Sequence, residues 1–170
     1  PNLLPQKTTE YEVGFTQALT TYSALTISTF YKELSDMIQA SRVTEAYPYP
    51  YTHFDNIDFG TVKGFSFGYD LRRRNNISLT ANYTLQFADG TGSSSTTAQQ
   101  LVNDGNPNLR TTLPLDYDQR HNITANIDYR YGSGSNYRGP TLFGRNALEG
   151  VGANLVLSAG SGTPYSQQSN

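Results

Sequence analysis

The chain has 170 residues, a formal net charge of −2, 13 Tyr, 8 Phe and no Cys. Without Cys, neither a disulfide framework nor a thiolate metal site can form. The small net charge gives no reason to expect nucleic acid as a partner. Abundant Tyr, Thr, Ser, Asn and Gly favour strands and turns. No stretch approaches the roughly 18 apolar residues of a membrane helix, which excludes a helical membrane protein but not a membrane barrel.

Six segments alternate apolar and polar residues, which is the pattern of strands with two different faces. The clearest segment runs from Ile77 to Phe87 and has an apolar residue at every odd position. Most of the segments exceed the usual length of about five or six residues in globular strands and suit a tilted membrane strand of about 9–11 residues. In chain order, the predicted strands cover residues 8–19, 24–31, 59–71, 77–87, 122–131 and 152–159.

The connections between these segments alternate in length. Residues 20–23 and 72–76 form short polar connections, whereas 40–56 and 89–118 are long and irregular. Outer-membrane barrels have short periplasmic turns and long extracellular loops, so the first strand is predicted to run from the outside towards the periplasm. Residues 132–150 are long where a short turn is expected. This predicts either that they pack inside the barrel mouth or that the strand register is wrong there.

Alternation alone also suits a water-soluble β-sandwich. The polar faces, however, are rich in Ser, Thr, Asn and Gly and poor in Lys, unlike solvent-exposed strand faces. Aromatic residues towards the strand ends suit the girdles of a membrane barrel. We therefore predict an all-β fold, an incomplete antiparallel up-and-down transmembrane β-barrel section of about six long strands. The predicted lipid-facing residues are Phe15, Tyr31, Phe65, Phe67, Leu79, Tyr83, Leu85, Ile127 and Tyr129.

Several short motifs follow one another along nearly the whole chain. The first is the segment 1–15, which contains Tyr11-Glu12-Val13-Gly14, and the second is the segment 25–38. The others are Val62-Lys63-Gly64-Phe65, Asn82-Tyr83-Thr84, Gln119-Arg120-His121-Asn122 and the segment 159–166. In this order and spacing the chain resembles the TonB-dependent receptors of Gram-negative outer membranes. Gln6 departs from the family pattern, which usually has an acid there.

The resemblance implies the C-terminal part of a barrel of about 22 strands whose lumen holds a plug. Residues 1–170 are then part of a single outer-membrane β-barrel domain, with no plug domain, no TonB-binding box and no C-terminal strand. The implied function is to form barrel wall and extracellular loops of a receptor that takes up a scarce nutrient: a metal chelate, a glycan or a peptide. The implied location is the bacterial outer membrane. The implied partners are outer-membrane lipid, the rest of the barrel with its plug, TonB through the missing N-terminal part, and a surface lipoprotein or other complex subunits.

One predicted extracellular loop has a composition suited to ligand contact. Prolines restrict the loop, and tyrosines stack on sugars or aromatic ligands while offering a polar tip. The other interpretation is that these residues pack the loop against its neighbours. The candidate ligand-binding residues are Tyr47, Tyr49, Tyr51 and His53.

No catalytic constellation is present in the sequence, so we expect neither an enzyme nor a cofactor. Asp116, Asp118 and His121 lie close together, but the sequence supplies no further ligand there, so a polar loop is expected instead of a metal site. Two other functions remain open. One is a non-transporting outer-membrane barrel that acts as an adhesin or secretion-complex partner. The other is a soluble β-sandwich that binds carbohydrate.

Overall fold

The computed structural model describes residues 3–106, 108 and 110–165. The six alternating segments form its long strands, which we label in chain order together with the shorter elements. These elements are β1 (Lys7–Ala18), β2 (Ser23–Val43), β3 (Tyr51–Arg74), β4 (Ile77–Gly90), α1 (Gln99–Asn103), β5 (Leu113–Pro114), β6 (His121–Arg130), β7 (Thr141–Leu142), β8 (Arg145–Asn146) and β9 (Gly152–Gly160).

The long strands form one antiparallel sheet in the order β1-β2-β3-β4-β6-β9, and β5 pairs with the end of β4. Each long strand pairs with the next long strand in the chain, which is up-and-down topology. Strands β1 and β9 each have one neighbour, so the described part of the chain is an open sheet. The prediction of an incomplete antiparallel section with about six long strands is therefore confirmed.

The two ends of the sheet differ in their connections. At one end, here called the turn end, β3 and β4 are joined by Asn75 and Asn76, whose φ angles are 49° and 73°. A two-residue hairpin turn with both central residues left-handed matches the twist of the flanking strands, and Asn tolerates this conformation better than most residues. The opposite end, here called the loop end, carries residues 44–50 between β2 and β3 and residues 91–120 between β4 and β6.

Strands β2 and β3 are much longer than predicted. The prediction ended the second strand at Tyr31 and made residues 40–56 a loop, and both statements are wrong: the two strands pair as far as Val43 and Tyr51. Beyond Lys32 both faces carry polar residues, so the period of two disappears from the sequence although the backbone ladder continues. A bulge with Asp36 at φ 57° interrupts the register there.

The strand register places most of the apolar residues of the six strands on the same face. Phe15 lies opposite Ile27, Phe67 lies opposite Tyr83, and the pattern continues to β9. This surface is called the apolar face below, and the opposite surface is called the polar face. The polar face carries a small buried cluster near the loop end. Its members are Val62, Ala88 and Leu115, with Phe30 and Leu34 packed against them.

The connection between β6 and β9 is ordered and lies at the turn end. Strands β6 and β9 pair without interruption from Asn122 opposite Gly160 to Arg130 opposite Gly152. A register error therefore does not explain its length. The connection contains a 3-10 turn at Gly134–Asn136 and the separate hairpin β7–β8. Among the described residues, no helix is both long and apolar enough to cross a membrane.

Candidate functional site

Two of the predicted ligand-binding residues, Tyr47 and Tyr49, lie in the loop at residues 44–50 and are exposed to solvent. Tyr47 is 98% exposed and Tyr49 is 78% exposed. Packing against neighbouring segments of this chain therefore does not account for these two rings. The loop joins the ends of β2 and β3 at the point where both strands extend beyond the neighbouring hairpin. Both phenols are thus free to meet a molecule approaching the loop end.

Tyr51 and His53 lie on β3, two residues apart, and their ring centroids are 6.1 Å from each other at an interplanar angle of 59°. The His53 Nε2 atom lies 3.9 Å from the Asp55 carboxylate. Its Nδ1 atom is buried and has no hydrogen-bond partner within the described residues. The structure therefore brings Tyr51 and His53 together, while Tyr47 and Tyr49 stand out on the loop.

The long connection at residues 91–120, here called the folded loop, bends back over the polar face. Leu115 is 1% exposed because it enters the buried cluster. Its N–H donates to the Ala88 carbonyl at 2.8 Å. The buried Asp118 carboxylate accepts hydrogen bonds from the Ala88 N–H at 2.9 Å and from Arg120 Nε at 3.2 Å. Apolar burial and a paired carboxylate thus hold one arm of the loop against β4.

The other arm of the folded loop is held by a buried polar network on β2 and β3. Gln39 Nε2 donates to the Asp58 carboxylate at 2.9 Å and to the Ser94 carbonyl at 3.1 Å. The Thr91 hydroxyl donates to the second Asp58 oxygen at 3.0 Å. Burying a carboxylate without partners is costly, so these hydrogen bonds make the position of Asp58 tenable and tie the loop to the extended strands.

A cleft of about 330 Å³ lies between the polar face and the folded loop. Glu10 and Lys32 form an ion pair of 3.0 Å at its edge. Tyr117 contributes from the folded loop, and burial raises the pKa of its phenol. Alternation already places the strand residues of this cleft on the polar face, but Tyr117 reaches it through the folding of the loop. The remaining lining residues are Glu12, Phe30, Leu34, Val62 and Gln86.

The nine residues predicted to face lipid share the apolar face. Leu79 lies opposite Ile127, and Phe65 lies opposite Leu85. Phe15, Phe65 and several other large side chains of this face are exposed. In this part of the chain, no second sheet covers them, since the other described sheet is the short β7–β8 hairpin. The arrangement is therefore not a β-sandwich, in which a second sheet covers the apolar face.

The group of Asp116, Asp118 and His121 does not assemble into a metal site. Asp118 is occupied by Ala88 and Arg120, and His121 Nδ1 lies 2.9 Å from the Tyr83 hydroxyl. Within residues 3–106, 108 and 110–165, no three His, Asp or Glu side chains are placed to hold a metal ion.

Two of the sequence motifs meet at the loop end of β6 and β9. The His121 N–H donates to the Ser161 hydroxyl at 3.1 Å, and the Ser161 N–H donates to the His121 carbonyl at 2.8 Å. Gln119 Nε2 donates to the Ser161 carbonyl at 2.9 Å. The Gln-Arg-His-Asn segment and the start of the segment 159–166 are therefore one local structure. Pro1, Asn2 and Ser166, which also belong to quoted motifs, lie outside the described residues.

Nearly the whole chain matches a known family. The model of the TonB-dependent receptor-like β-barrel matches residues 1–167. The chain belongs to this family. The resemblance predicted from the motifs is confirmed. No curated protein and no solved structure matches the chain significantly.

The TonB-dependent receptor family consists of outer-membrane receptors and transporters and is not an enzyme family. Membrane embedding, a plug and interaction with TonB are general properties of its members. Family membership thus supports an outer-membrane receptor barrel.

Proposed function

We propose that this chain forms barrel wall and extracellular loops of a TonB-dependent receptor that takes up a scarce nutrient across the bacterial outer membrane. The observation that carries the proposal is the family match over residues 1–167. The shared apolar face of six paired strands supports it, since a barrel wall needs such a face towards lipid. In this arrangement the turn end is periplasmic and the loop end is extracellular.

The two faces then meet different partners. The nine predicted residues of the apolar face contact outer-membrane lipid. The polar face lines the lumen and contacts the plug of the parent receptor, while TonB acts through the N-terminal part of the parent. Strands β1 and β9 pair with further strands of the same barrel. A surface lipoprotein or other complex subunit would approach from the loop end.

Uptake is tested with the complete receptor in cells. A strain lacking the receptor and a complemented strain are grown on metal chelates, glycans or peptides as limiting nutrients. We expect one nutrient class to require the receptor and its uptake to stop when a protonophore dissipates the membrane potential. If the receptor reaches the outer membrane but no nutrient class requires it, the adhesin or secretion-partner alternative replaces the transporter.

Within this function, we assign ligand contact at the loop end to Tyr47, Tyr49, Tyr51 and His53. The near-complete exposure of Tyr47 and Tyr49 supports the assignment. An aromatic contact contributes about 1 kcal/mol, so replacing both loop tyrosines with Ala should weaken ligand binding roughly 30-fold. Replacement with Phe keeps the rings and should preserve most of the affinity. Unchanged uptake by a variant with Tyr47, Tyr49 and Tyr51 all replaced by Ala would refute the assignment.

A further inference from the structure

The connection between β6 and β9, residues 131–151, is a small folded unit at the turn end. The Tyr137 hydroxyl donates to the Pro140 carbonyl at 2.6 Å and accepts from the Leu148 N–H at 3.1 Å. The Glu149 carboxylate accepts from the Gly134 N–H at 2.5 Å. The connections β1–β2 and β3–β4 at the same end are short turns. Because it is longer than these turns and is held by its own hydrogen bonds, this connection presents a larger defined surface at the turn end.

The tip of this unit exposes two large apolar side chains. Strands β7 and β8 are joined by Phe143 and Gly144, whose φ angles are 48° and 75°. Phe143 is 98% exposed and the preceding Leu142 is 63% exposed. A Phe in the left-handed region is uncommon, and here it places the ring at the outermost point of the hairpin. An apolar tip of this kind indicates a contact with something outside the chain.

A row of tyrosine rings shows on which side of the sheet the unit lies. Tyr129 belongs to the apolar face, and the Tyr131 ring contacts it edge-on with centroids 5.2 Å apart. The Tyr137 ring follows at 5.9 Å from Tyr131. The apolar face thus continues through these rings into the connection. Packing inside the barrel mouth, which would use the polar face, does not describe this arrangement.

The charged residues of the unit are Arg138, Arg145 and Glu149, which give it a net charge of +1. Arg138 and Arg145 are exposed, and neither forms an ion pair within the described part of the chain. The Glu149 carboxylate is occupied by Gly134 and by Asn146 Nδ2 at 3.1 Å. The unit thus combines two arginines, an exposed Leu-Phe tip and the row of tyrosine rings. These residue types are found at membrane interfaces, where aromatic rings lie at headgroup depth and Arg binds lipid phosphates.

We propose that residues 131–151 form an interface anchor that binds the anionic phospholipid surface of the periplasmic leaflet. Leu142 and Phe143 enter the boundary between headgroups and acyl chains, while Arg138 and Arg145 bind headgroup phosphates. The proposal rests on the proposed function, because it needs the barrel to lie in the outer membrane with its turn end inside. It deepens that function by assigning a lipid partner to a periplasmic connection.

The test uses the complete receptor, without other cysteines, in vesicles of phosphatidylethanolamine and phosphatidylglycerol. An environment-sensitive fluorophore is attached through Phe143→Cys, and quenching by doxyl-labelled lipids is measured. Ser135→Cys, an exposed site in the same connection, serves as the matched control. Phe67→Cys on the apolar face reports whether the barrel itself is in lipid. We expect quenching at positions 67 and 143 and aqueous emission at position 135.

Combining Arg138→Gln and Arg145→Gln, or omitting phosphatidylglycerol, should reduce quenching at position 143 and leave it unchanged at position 67. Aqueous emission from position 143 with quenching at 67 overturns the anchor while the proposed function stands. Aqueous emission from both positions overturns the membrane placement itself. A label at position 143 that is aqueous in vesicles but shielded in intact cells assigns the tip to a periplasmic protein and overturns the anchor. If quenching at position 143 changes neither with the arginine replacements nor with the omission of phosphatidylglycerol, the proposed headgroup contact is overturned.

Discussion

Leu115 is the buried apolar side chain that docks one arm of the folded loop against β4. Its side chain lies in the cluster with Val62 and Ala88 and is 1% exposed. Replacing it with Ala removes three buried carbons, which corresponds to about 2.4 kcal/mol of lost transfer free energy. The cavity left behind brings the total to about 3 kcal/mol. The undocked population of this arm should therefore rise about 100-fold.

Hydrogen exchange measured by mass spectrometry reads this population directly. The Leu115 N–H donates to the Ala88 carbonyl in the docked loop, so its exchange requires undocking. Peptides covering residues 113–118 of the complete receptor should exchange about 100-fold faster in Leu115→Ala, while peptides of β6 remain unchanged. Leu113→Ala is the matched control, because Leu113 lies two residues away on β5 and is 61% exposed. Equal exchange in the two variants would refute the packing argument.

Three further predictions concern the turns and the strand faces. Replacing Asn75 and Asn76 with Ala should lower the free energy of unfolding by about 1–2 kcal/mol per residue, because both residues are left-handed. The loss is measured in urea titrations of the refolded receptor, and Gly replacements should not cause it. Equal losses in the Ala and Gly variants would contradict the turn assignment. Gly64→Ala should cost about 1–3 kcal/mol in the same assay, since its Cβ would lie 2.6 Å from a ring atom of β2 and against the backbone of β4. Gly68→Ala on the same face should stay within about 0.5 kcal/mol, and a larger loss at position 68 than at 64 would be inconsistent with the register. Backbone and amide hydrogen bonds lower the pKa of Glu149 from its usual 4.5, so the ionised carboxylate stabilises the connection above pH 4.5 and this contribution is lost as the pH falls through the lowered pKa. After correction for intrinsic exchange, exchange of the Gly134 amide should therefore accelerate on acidification in the wild type and be independent of pH in Glu149→Gln. Parallel pH profiles in the two proteins would count against a role of the ionised carboxylate.

The polar network around Gln39 and Asp58 shows why the prediction of the loop end was incomplete. Gln39 and Asp58 flank the predicted loop at residues 40–56, in segments where alternation has stopped, so no strand face was predicted for them. In the structure both are buried, because the folded loop covers them with Thr91 and Ser94. Burial here is created by a partner more than thirty residues away along the chain. No local pattern encodes such a contact.

For the predicted ligand-binding residues, too, the sequence indicated only part of the arrangement. The composition of the loop suggested ligand contact, which stays a prediction, and the structure adds that Tyr47 and Tyr49 are exposed. The cleft between the polar face and the folded loop was not predicted, although alternation places Glu10 and Lys32 on the polar face. Tyr117 reaches the cleft only because the folded loop returns to β4, and the sequence around Tyr117 carries no signal for that path.

The sequence by itself determined the strand faces, the up-and-down order and the family. These follow from local physics: alternation assigns each side chain to a face within its own strand, and short polar segments force antiparallel neighbours. Tertiary structure decided how far β2 and β3 extend, where the folded loop docks and that the 131–151 connection is a folded unit. Those features depend on contacts between residues distant along the chain, such as Leu115 with Ala88 and Gly134 with Glu149. The long connection still departs from the short turns expected at that end of a barrel, and its tyrosine rings join it to the apolar face.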